Sequence, residues 1–218
     1  MRAVLFANGM IDQESVEHLT IRTDDIIVSV DGGFRHVQAL DINPHIIIGD
    51  MDSIDSHHLP NLEEQGVEIH RFPPAKDETD LELALHILRN RGYDECLIIG
   101  ALGGRIDQTL ANIWMMASES STDFSISLDD GCEHIVVILD ETTINGDKGD
   151  LLSLIPFGGP VQGIVTNGLA YPLQDEALYP EKTRGLSNVL LGNQAKISIR
   201  SGKLLCVHRR ALACKKEL

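Results

Sequence analysis

The stretch "IIIGDMDSID" at residues 46–55 decides the fold and points toward the function. Its three consecutive isoleucines, Ile46 to Ile48, are typical of a strand that is buried on both faces. Two carboxylates, Asp50 and Asp52, follow at once at the end of this strand. A buried strand that runs into paired carboxylates predicts either a polar turn or a site for a divalent cation.

Short strand-like runs of this kind alternate with helical stretches over the first part of the chain. The helical stretch 80–92 places Leu81, Ala84, Leu85 and Leu88 on one face. The alternation predicts a mostly parallel sheet with helices on both sides, which residues 124–140 complete. The other strand-like runs are 3–8, 25–31, 44–50, 67–72 and 95–101, and the other helical ones are 34–40 and 106–119.

The pattern changes after residue 142, where short strand candidates separated by Gly, Asn and Pro predict a small antiparallel sandwich or barrel. The charge changes at the same place. Residues 1–142 hold 8 basic and 27 acidic side chains, a net charge of −19, whereas residues 143–218 hold 10 and 6, a net charge of +4. Both observations predict two domains, 1–142 and 143–218.

Composition excludes some classes of partner. A formal net charge of −15 argues against nucleic acid, because a phosphate backbone requires a basic protein face. No run approaches the roughly eighteen apolar residues that a membrane helix needs. The four cysteines, Cys96, Cys132, Cys206 and Cys214, are far apart and form no CxxC pair. They predict reduced thiols in a cytoplasmic protein.

Asp50 and Asp52 are spaced so that both carboxylates can bind one hard cation. On an extended segment, positions i and i+2 point the same way, and their Cα atoms lie about 6–7 Å apart. Mg²⁺ binds oxygen ligands at about 2.0–2.1 Å and commonly takes one or two carboxylates besides water and phosphate oxygens. A turn closed by an aspartate side chain is the alternative that this stretch leaves open.

The segment 75–80, "AKDETD", combines a helix start with further charged groups. Thr79 and Glu82 form a capping box, which predicts Thr79 as the N-cap and Asp80 as the first helical residue. A carboxylate at Asp80 is favourable for the helix dipole whatever its other role. Lys76, beside the helix N-terminus, is a candidate phosphate contact.

A glycine-rich turn precedes the next predicted helix at residues 100–105. Gly103 and Gly104 permit positive φ and a close approach of the backbone to a ligand. Arg105 is placed for a bidentate phosphate contact. Asp107, in the first helical turn, is either a helix-capping residue or a member of the same site. No Walker A or GxGxxG loop is present, so the usual phosphate loops are excluded.

Together these motifs resemble the thiamine pyrophosphokinase family over nearly the whole chain. Each motif is short, and their order and spacing make the resemblance specific. Gln108 departs from many bacterial members, which have histidine there, so the resemblance assigns no role to this position. The matching landmarks are "DGG" (31–33), "GDMDS" (49–53), "KDETD" (76–80), "GGRIDQ" (103–108) and "TRGLSN" (183–188).

The resemblance implies an α/β fold with two parts, an N-terminal Rossmann-like and mostly parallel sheet with flanking helices and a C-terminal antiparallel β-sandwich. It implies transfer of the pyrophosphoryl group of ATP to the hydroxyl of thiamine with Mg²⁺ as cofactor, giving thiamine diphosphate and AMP. It also implies a homodimer in which thiamine lies between the α/β domain of one subunit and the sandwich of the other.

The resemblance also implies residue roles. Asp50, Asp52 and Asp80 are the expected magnesium ligands, and with Arg105 and Asp107 they form the expected catalytic set. Ser187 and Asn188 are expected at the thiamine site, and Tyr171 is either an aromatic contact for the thiamine rings or an ordinary core residue. The substrates are further expected to contact Asp31, Gly32, Gly33, Lys76, Asp77, Thr79, Gly103 and Gly104.

Two rival functions would use the same residues. One is a different magnesium-dependent enzyme, either a phosphohydrolase or a pyrophosphokinase for another small alcohol such as a pterin. The other is a non-catalytic sensor of nucleotide or thiamine. A thiamine requirement for AMP release separates the first rival from the expected enzyme, and turnover itself separates the second.

Overall fold

The computed structural model describes residues 1–11, 15–54 and 58–213, and Asp55 and Cys214 lie outside these ranges. The helices are α1 (Phe34–Ala39), α2 (His58–Glu64), α3 (Asp80–Asn90) and α4 (Ile106–Glu119), with short 3₁₀ turns at Val16–His18 and Asp31–Gly33. The strands of the first part are β1 (Arg2–Phe6), β2 (Ile26–Val30), β3 (Ile46–Gly49), β4 (Glu68–Arg71), β5 (Glu95–Ile99), β6 (Ser125–Asp129) and β7 (Glu133–Ile138). Those of the second are β8 (Glu141–Asn145), β9 (Leu151–Asn167), β10 (Gln174–Leu178), β11 (Asn188–Val189), β12 (Gln194–Ser198) and β13 (Ser201–Arg209).

The first six strands form the parallel sheet that the alternation predicts. Their order is β4-β3-β2-β1-β5-β6, and every neighbouring pair in this series is parallel. The chain adds strands outward from β1 on one side and then on the other, so the strand order reverses between β1 and β5. Such a reversal opens a crevice at the carboxyl ends of the strands, which is where ligands of these sheets bind.

Apolar side chains on both faces of this sheet explain its near-continuous hydrophobic strands. One core lies under α3 and α4, and a second core on the opposite face packs against α1. The buried face of α3 consists of the predicted Leu81, Ala84, Leu85 and Leu88. Thr79 is its N-cap, because its hydroxyl accepts the backbone N–H of Glu82 at 3.2 Å. The predicted N-cap role of Thr79 is therefore confirmed.

The second part is antiparallel, as predicted. The 17-residue strand β9 pairs with β11 and β13 along one layer and with β10 and β12 along the other. A separate apolar core, which includes Leu152, Ile164 and Leu204, lies between these layers. The sheet nevertheless continues from β6 through β7 to β13 without a break. The domain boundary at residue 142 therefore stays a prediction.

Helix α2 and the strands β8 and β10 are elements that the sequence pattern did not indicate. Only two residues of α2, Leu59 and Leu62, are buried. Pro60 lies in its first turn, where a missing N–H costs nothing. Two apolar positions in seven residues give too little periodicity to separate a short helix from a polar loop.

Two of the four cysteines are core thiols. Cys96 and Cys206 are free and buried, and burial raises the pKa of Cys206 to about 12. Cys132 is disulfide-bonded, which corrects the expectation that all four thiols are reduced. It lies half-buried in the turn between β6 and β7. No helix in the described part of the chain is long and apolar enough to cross a membrane.

Candidate active site

A cavity of about 340 Å³ lies at the point where the strand order reverses. Its walls come from the loops that follow β1, β2 and β5 and from the first turns of α3 and α4. The loops after β1 and β5 touch, since the Gly9 N–H donates to the Gly100 carbonyl at 2.7 Å. The polar residues that line the cavity are Asn8, Asp31, Thr79, Asp80, Gln108 and Asn112.

Three carboxylates gather at the edge of this cavity. Asp31, Asp50 and Asp52 each present an oxygen, and these oxygens all lie within 4.8 Å of one another. Asp31 follows β2 and the other two follow β3, and these strands are neighbours in the sheet. The Asp50–Asp52 pair is thus placed as expected, and Asp31 joins it as the third acidic group.

Backbone geometry aims these side chains toward one another. Asp31 and Met51 have left-handed backbones, with φ of 48° and 69°. Met51 stands between Asp50 and Asp52 in the sequence, and its side chain is buried in the core. The Ser53 hydroxyl donates to both Asp31 and Asp52. The Asp52 N–H donates to Asp50 Oδ1 at 3.1 Å and is the largest cause that lowers the pKa of Asp50. The turn closed by an aspartate side chain is present, and the cation site, which was the other expectation for this stretch, stays a prediction.

The donor set of this cluster fits a hard divalent cation. All three groups are carboxylates, which supply the oxygen ligands that Mg²⁺ prefers. Within the described ranges, none of the three has a Lys, Arg or His nitrogen within 4.0 Å. Three anionic groups held together without a paired cation repel one another, and a bound divalent ion would remove that repulsion.

Asp80 lies on another wall of the same cavity and has a partner of its own. Its Oδ1 is 3.0 Å from Lys76 Nζ, and both side chains are largely buried, 20% and 13% exposed. This contact is an ion pair without hydrogen-bond alignment, so the buried Oδ1 has no hydrogen bond. After the Asp52 N–H, the charge of Lys76 is a further, smaller cause that lowers the pKa of Asp50. The role of Asp80 as a metal ligand stays a prediction.

Arg105 and Asp107 form an exposed ion pair at the start of α4. Arg105 Nε and Nη2 donate to the two carboxylate oxygens of Asp107 at 3.1 and 2.5 Å. Their side chains are 70% and 63% exposed, so water weakens the pair and a phosphate could replace the carboxylate. Gly103 and Gly104, with φ of 75° and 72°, make the left-handed turn that leads to this pair. Asp77 is exposed, and its expected contact with a substrate stays a prediction.

The two glycines of "DGG" are explained by packing. A methyl group on Gly33 would lie 1.8 Å from the Phe6 carbonyl oxygen, and one on Gly32 would lie 2.4 Å from the Asn8 side chain. Both positions are buried. The glycines therefore let the turn after β2 pack against β1, which holds Asp31 at the cavity. Their expected contact with a substrate stays a prediction.

The residues predicted for thiamine lie in the sandwich and do not line the cavity. Tyr171 is 69% exposed, so the alternative of a core tyrosine is wrong. Asn188 is buried, and its side-chain amide holds the backbone of Tyr171. The Tyr171 N–H donates to Asn188 Oδ1 at 3.0 Å, and Asn188 Nδ2 donates to the Tyr171 carbonyl at 2.7 Å. Ser187 has a left-handed backbone, and its N–H donates to Ser153 Oγ at 3.0 Å.

Three polar cavity residues were missed by the sequence reasoning: Asn8, Gln108 and Asn112. Asn8 belongs to the "NG" that follows β1, so its position at a strand end was a usable signal. Asn112 donates to the Ala101 carbonyl at 2.9 Å and thereby joins α4 to the glycine-rich turn. Gln108 and Asn112 are four residues apart, which places them on one face of α4.

These features define a class, an α/β protein with an acidic cluster at the edge of the cavity at its strand-order reversal and an antiparallel second part. Two family models specify it further. The model "Thiamin pyrophosphokinase, catalytic domain" matches residues 18–128, and "Thiamin pyrophosphokinase, vitamin B1 binding domain" matches residues 134–204. The chain belongs to the thiamin pyrophosphokinase family.

Individual relatives agree with this membership. The thiamine pyrophosphokinase of Bacillus subtilis is 30% identical over 196 residues, which is 88% of this chain and 92% of the relative. A crystal structure of thiamine pyrophosphokinase from B. subtilis superposes with a TM-score of 0.83 at 25% identity, over 97% of this chain and 100% of the other. The thiamin pyrophosphokinase of Candida albicans, at 15% identity and a TM-score of 0.76 over 96% of this chain and 88% of the other, shares the fold.

Proposed function

We propose that the chain transfers the pyrophosphoryl group of ATP to the hydroxyl of thiamine and releases thiamine diphosphate and AMP. In this reaction the thiamine hydroxyl loses its proton to water, and its oxygen forms a bond to the β-phosphorus. The bond between that phosphorus and the oxygen bridging to the α-phosphorus breaks, and AMP leaves with the bridging oxygen. The single observation that carries this proposal is the gathering of Asp31, Asp50 and Asp52 at the strand-order reversal.

A magnesium ion would be held by Asp31, Asp50 and Asp52, with Asp80 available if Lys76 turns away from it. Bound there, Mg²⁺ would supply charge that offsets the polyphosphate and polarises the transferred group. Without such a cation, the acidic cluster would repel ATP.

The chain's own cations fit the role of phosphate contacts. Lys76 pairs with Asp80 at the N-terminus of α3, where backbone N–H groups also favour an anion. Arg105 can leave its exposed pair with Asp107 and form a bidentate contact with a phosphate. Phosphoryl transfer depends mainly on this positioning and charge stabilisation.

Thiamine carries a positive charge, and the net charge of −19 on residues 1–142 favours its approach. Tyr171 supports a role for the sandwich, because its ring is exposed and its backbone is held by Asn188. We propose that this ring stacks on a thiamine ring and that Asn188 positions it. Since none of Tyr171, Ser187 and Asn188 lines the cavity, a shared site requires the sandwich of a second copy.

Helix α4 offers a surface for that second copy. Ile106, Leu110 and Trp114 recur every four residues along one face and are 71%, 48% and 58% exposed. An apolar stripe of this kind beside a ligand site is typical of a protein interface. We propose a homodimer that covers this stripe. A cytoplasmic location likewise remains our proposal from the sequence.

The function is tested by measuring AMP release with and without thiamine. The expected result is AMP in step with thiamine diphosphate, only when thiamine and Mg²⁺ are both present. AMP or ADP that appears equally without thiamine would support a phosphohydrolase, and turnover of a pterin alcohol in place of thiamine would support the related pyrophosphokinase. Tight binding of both substrates without product would support a sensor.

The dimer is tested by Trp114→Ser in sedimentation equilibrium. In the proposed dimer the Trp114 ring is covered by the second copy. Removing such an aromatic anchor is expected to weaken self-association by about 30-fold, or about 2 kcal/mol, since such residues dominate interfaces. Specific activity should then fall on dilution at concentrations where the unmodified protein keeps it. Tyr179→Ser is the control, because it removes a 42% exposed aromatic side chain directly after β10, and it should change neither quantity. A wild-type protein that is monomeric at assay concentration would contradict the shared site.

A further inference from the structure

Helix α4 is held mainly at its C-terminal end. Of its 14 residues, all of them described, Met116 and Ala117 are buried. The N-terminal half has exposed side chains and borders the cavity through Gln108, Ala111 and Asn112. A helix of this length spans about 20 Å, so a tilt of about 10° at one end moves the other by about 3 Å.

Lys203 of β13 binds this C-terminal end. Its ammonium donates to the carbonyls of Ala117, Ser118 and Ser120 at 2.8, 3.2 and 3.2 Å. These carbonyls belong to the end of α4, where the helix leaves acceptors unpaired and its dipole is negative. In the described part of the chain, Lys203 has no carboxylate within 4.0 Å, so its charge serves the helix end.

A second contact joins the same two parts. The ring of Trp114 on α4 meets the ring of Phe157 on β9 edge to face, with centroids 5.2 Å apart. Strands β9 and β13 are neighbours, and Lys203 pairs with Phe157 in their register. The sandwich therefore touches α4 at two adjacent points, one charged and one aromatic.

We propose that Lys203 is a positioning residue for the nucleotide site. Its ammonium sets the orientation of α4 and thereby the cavity wall formed by Gln108, Ala111 and Asn112. The thiamine-binding part of the chain thus takes part in shaping the nucleotide cavity of the same subunit. The inference rests on the proposed function in one respect, that ATP binds in this cavity.

The test compares Lys203→Met with Lys203→Arg, which keeps the charge and the donors. Lys203→Met is expected to raise the KM for ATP about 10-fold while the KM for thiamine stays within twofold. Lys203→Arg should restore most of the ATP affinity. Lys196→Met is the matched control, because Lys196 lies on β12 and its ammonium forms an exposed ion pair with Glu141 at 2.9 Å. It should behave as the unmodified protein does.

Trp114 provides a readout that does not depend on activity, because it is the single tryptophan of the chain. Acrylamide quenching of its fluorescence, without substrates and at a concentration where sedimentation shows equal assembly, should increase about twofold in Lys203→Met. If that variant does not fold, Lys203→Gln replaces it, with an expected rise of about 3-fold in the KM for ATP.

The outcomes separate this inference from the proposed function. A folded Lys203→Met with unchanged quenching and an unchanged KM for ATP overturns the positioning role. Equal changes in both KM values would show a general structural role and would also overturn it. If the unmodified protein releases no thiamine-dependent AMP, the proposed function fails. In that case, the affinities of the unmodified protein and of Lys203→Met for a non-hydrolysable ATP analogue with Mg²⁺ are compared. A weaker affinity in Lys203→Met together with increased quenching supports the positioning role, and no change in either quantity overturns it.

Discussion

The carboxylates at the edge of the parallel sheet and those in the interior of the protein are used in opposite ways. Asp31, Asp50 and Asp52 lie together, partly or fully exposed, and no cationic side chain pairs with them in the described residues. The interior carboxylates Asp25, Asp129 and Asp150 are at most 5% exposed. Each of these has a cationic or histidine partner.

The interior pairs are saturated with hydrogen bonds. Arg2 donates to both oxygens of Asp25 at 2.7 and 2.6 Å. Arg210 does the same for Asp129 at 2.8 and 2.7 Å. A buried carboxylate with such partners has no capacity left for a ligand, whereas a gathered and unpaired group does. The difference teaches that the partners of an aspartate, more than its presence in a motif, separate a binding role from a stabilising one.

The largest expected effect comes from removing one charge of the edge cluster. Asp52→Asn should lower turnover on the order of 10³-fold, because it removes charge stabilisation at the reacting group. Stability should stay equal or rise slightly, since the substitution relieves repulsion with Asp31 and Asp50. Steady-state kinetics and thermal unfolding of the same preparation measure both quantities.

The control for that variant is Asp123→Asn, which changes an exposed aspartate in the turn before β6. It should leave both the turnover rate and the stability unchanged. A folded Asp52→Asn protein with the unmodified rate would remove the edge cluster from the reaction. It would also leave the contrast with the interior carboxylates without a functional meaning.

The sequence predicts local parts of this contrast well. The strands of the parallel sheet, the helices α3 and α4, and the Thr79 cap follow from periodicity and capping within a few residues. Asp50 and Asp52 are predicted together because they are two positions apart at one strand end. These features depend on neighbours along the chain, so the sequence shows them directly.

Other parts of the site depend on contacts across the fold. Asp31 was expected to contact a substrate, and its place in the acidic cluster follows from β2 lying beside β3, which no local pattern reveals. The bond from Asn188 to Tyr171 joins residues 17 positions apart through the pairing of distant strands. The ion pair of Lys76 with Asp80 is local, but its burial depends on the cavity wall and was not foreseen.

An interior carboxylate gives the opposite prediction to Asp52. Asp150 accepts from His208 Nε2 at 2.7 Å and from the N–H groups of Asp147 and Ala211 at 2.9 and 2.8 Å. Asp150→Ala should lower the free energy of unfolding by about 3 kcal/mol, since it leaves buried donors unpaired. Turnover per folded molecule should be unchanged. Urea unfolding and active-site titration separate the two quantities.

Asp175→Ala is the matched control, because Asp175 pairs with Arg200 at 2.6 Å but both side chains are about two-thirds exposed, 68% and 65%. Its expected cost is below about 1 kcal/mol. Equal destabilisation by both substitutions would contradict the claim that burial distinguishes these pairs.

The pH dependence of stability follows from the same bonds of Asp150. Burial alone would raise its pKa, but the backbone N–H groups of Ala211 and Asp147 and the His208 side chain outweigh burial and lower it. A lowered folded pKa gives stability that is present above the unfolded pKa of about 3.9 and is lost as pH falls through the folded pKa. The stability gap between the unmodified protein and Asp150→Ala should therefore narrow below about pH 4.

The smallest expected effect belongs to Glu68, which combines features of both groups. It is paired, like the interior carboxylates, with Arg91 Nη1 at 2.8 Å and His70 Nε2 at 2.6 Å, and these bonds, with Arg91 first, lower its pKa to about 2. It is also 46% exposed, so water screens the pair. Glu68→Gln should cost less than about 1 kcal/mol despite the large pKa shift.

Since the folded pKa is lowered, this contribution is present above the unfolded pKa of about 4.3 and disappears as pH falls toward 2. Urea unfolding at pH 7 and pH 3 measures it, and a loss at pH 7 as large as that of Asp150→Ala would show that pairing alone, without burial, governs what a carboxylate contributes.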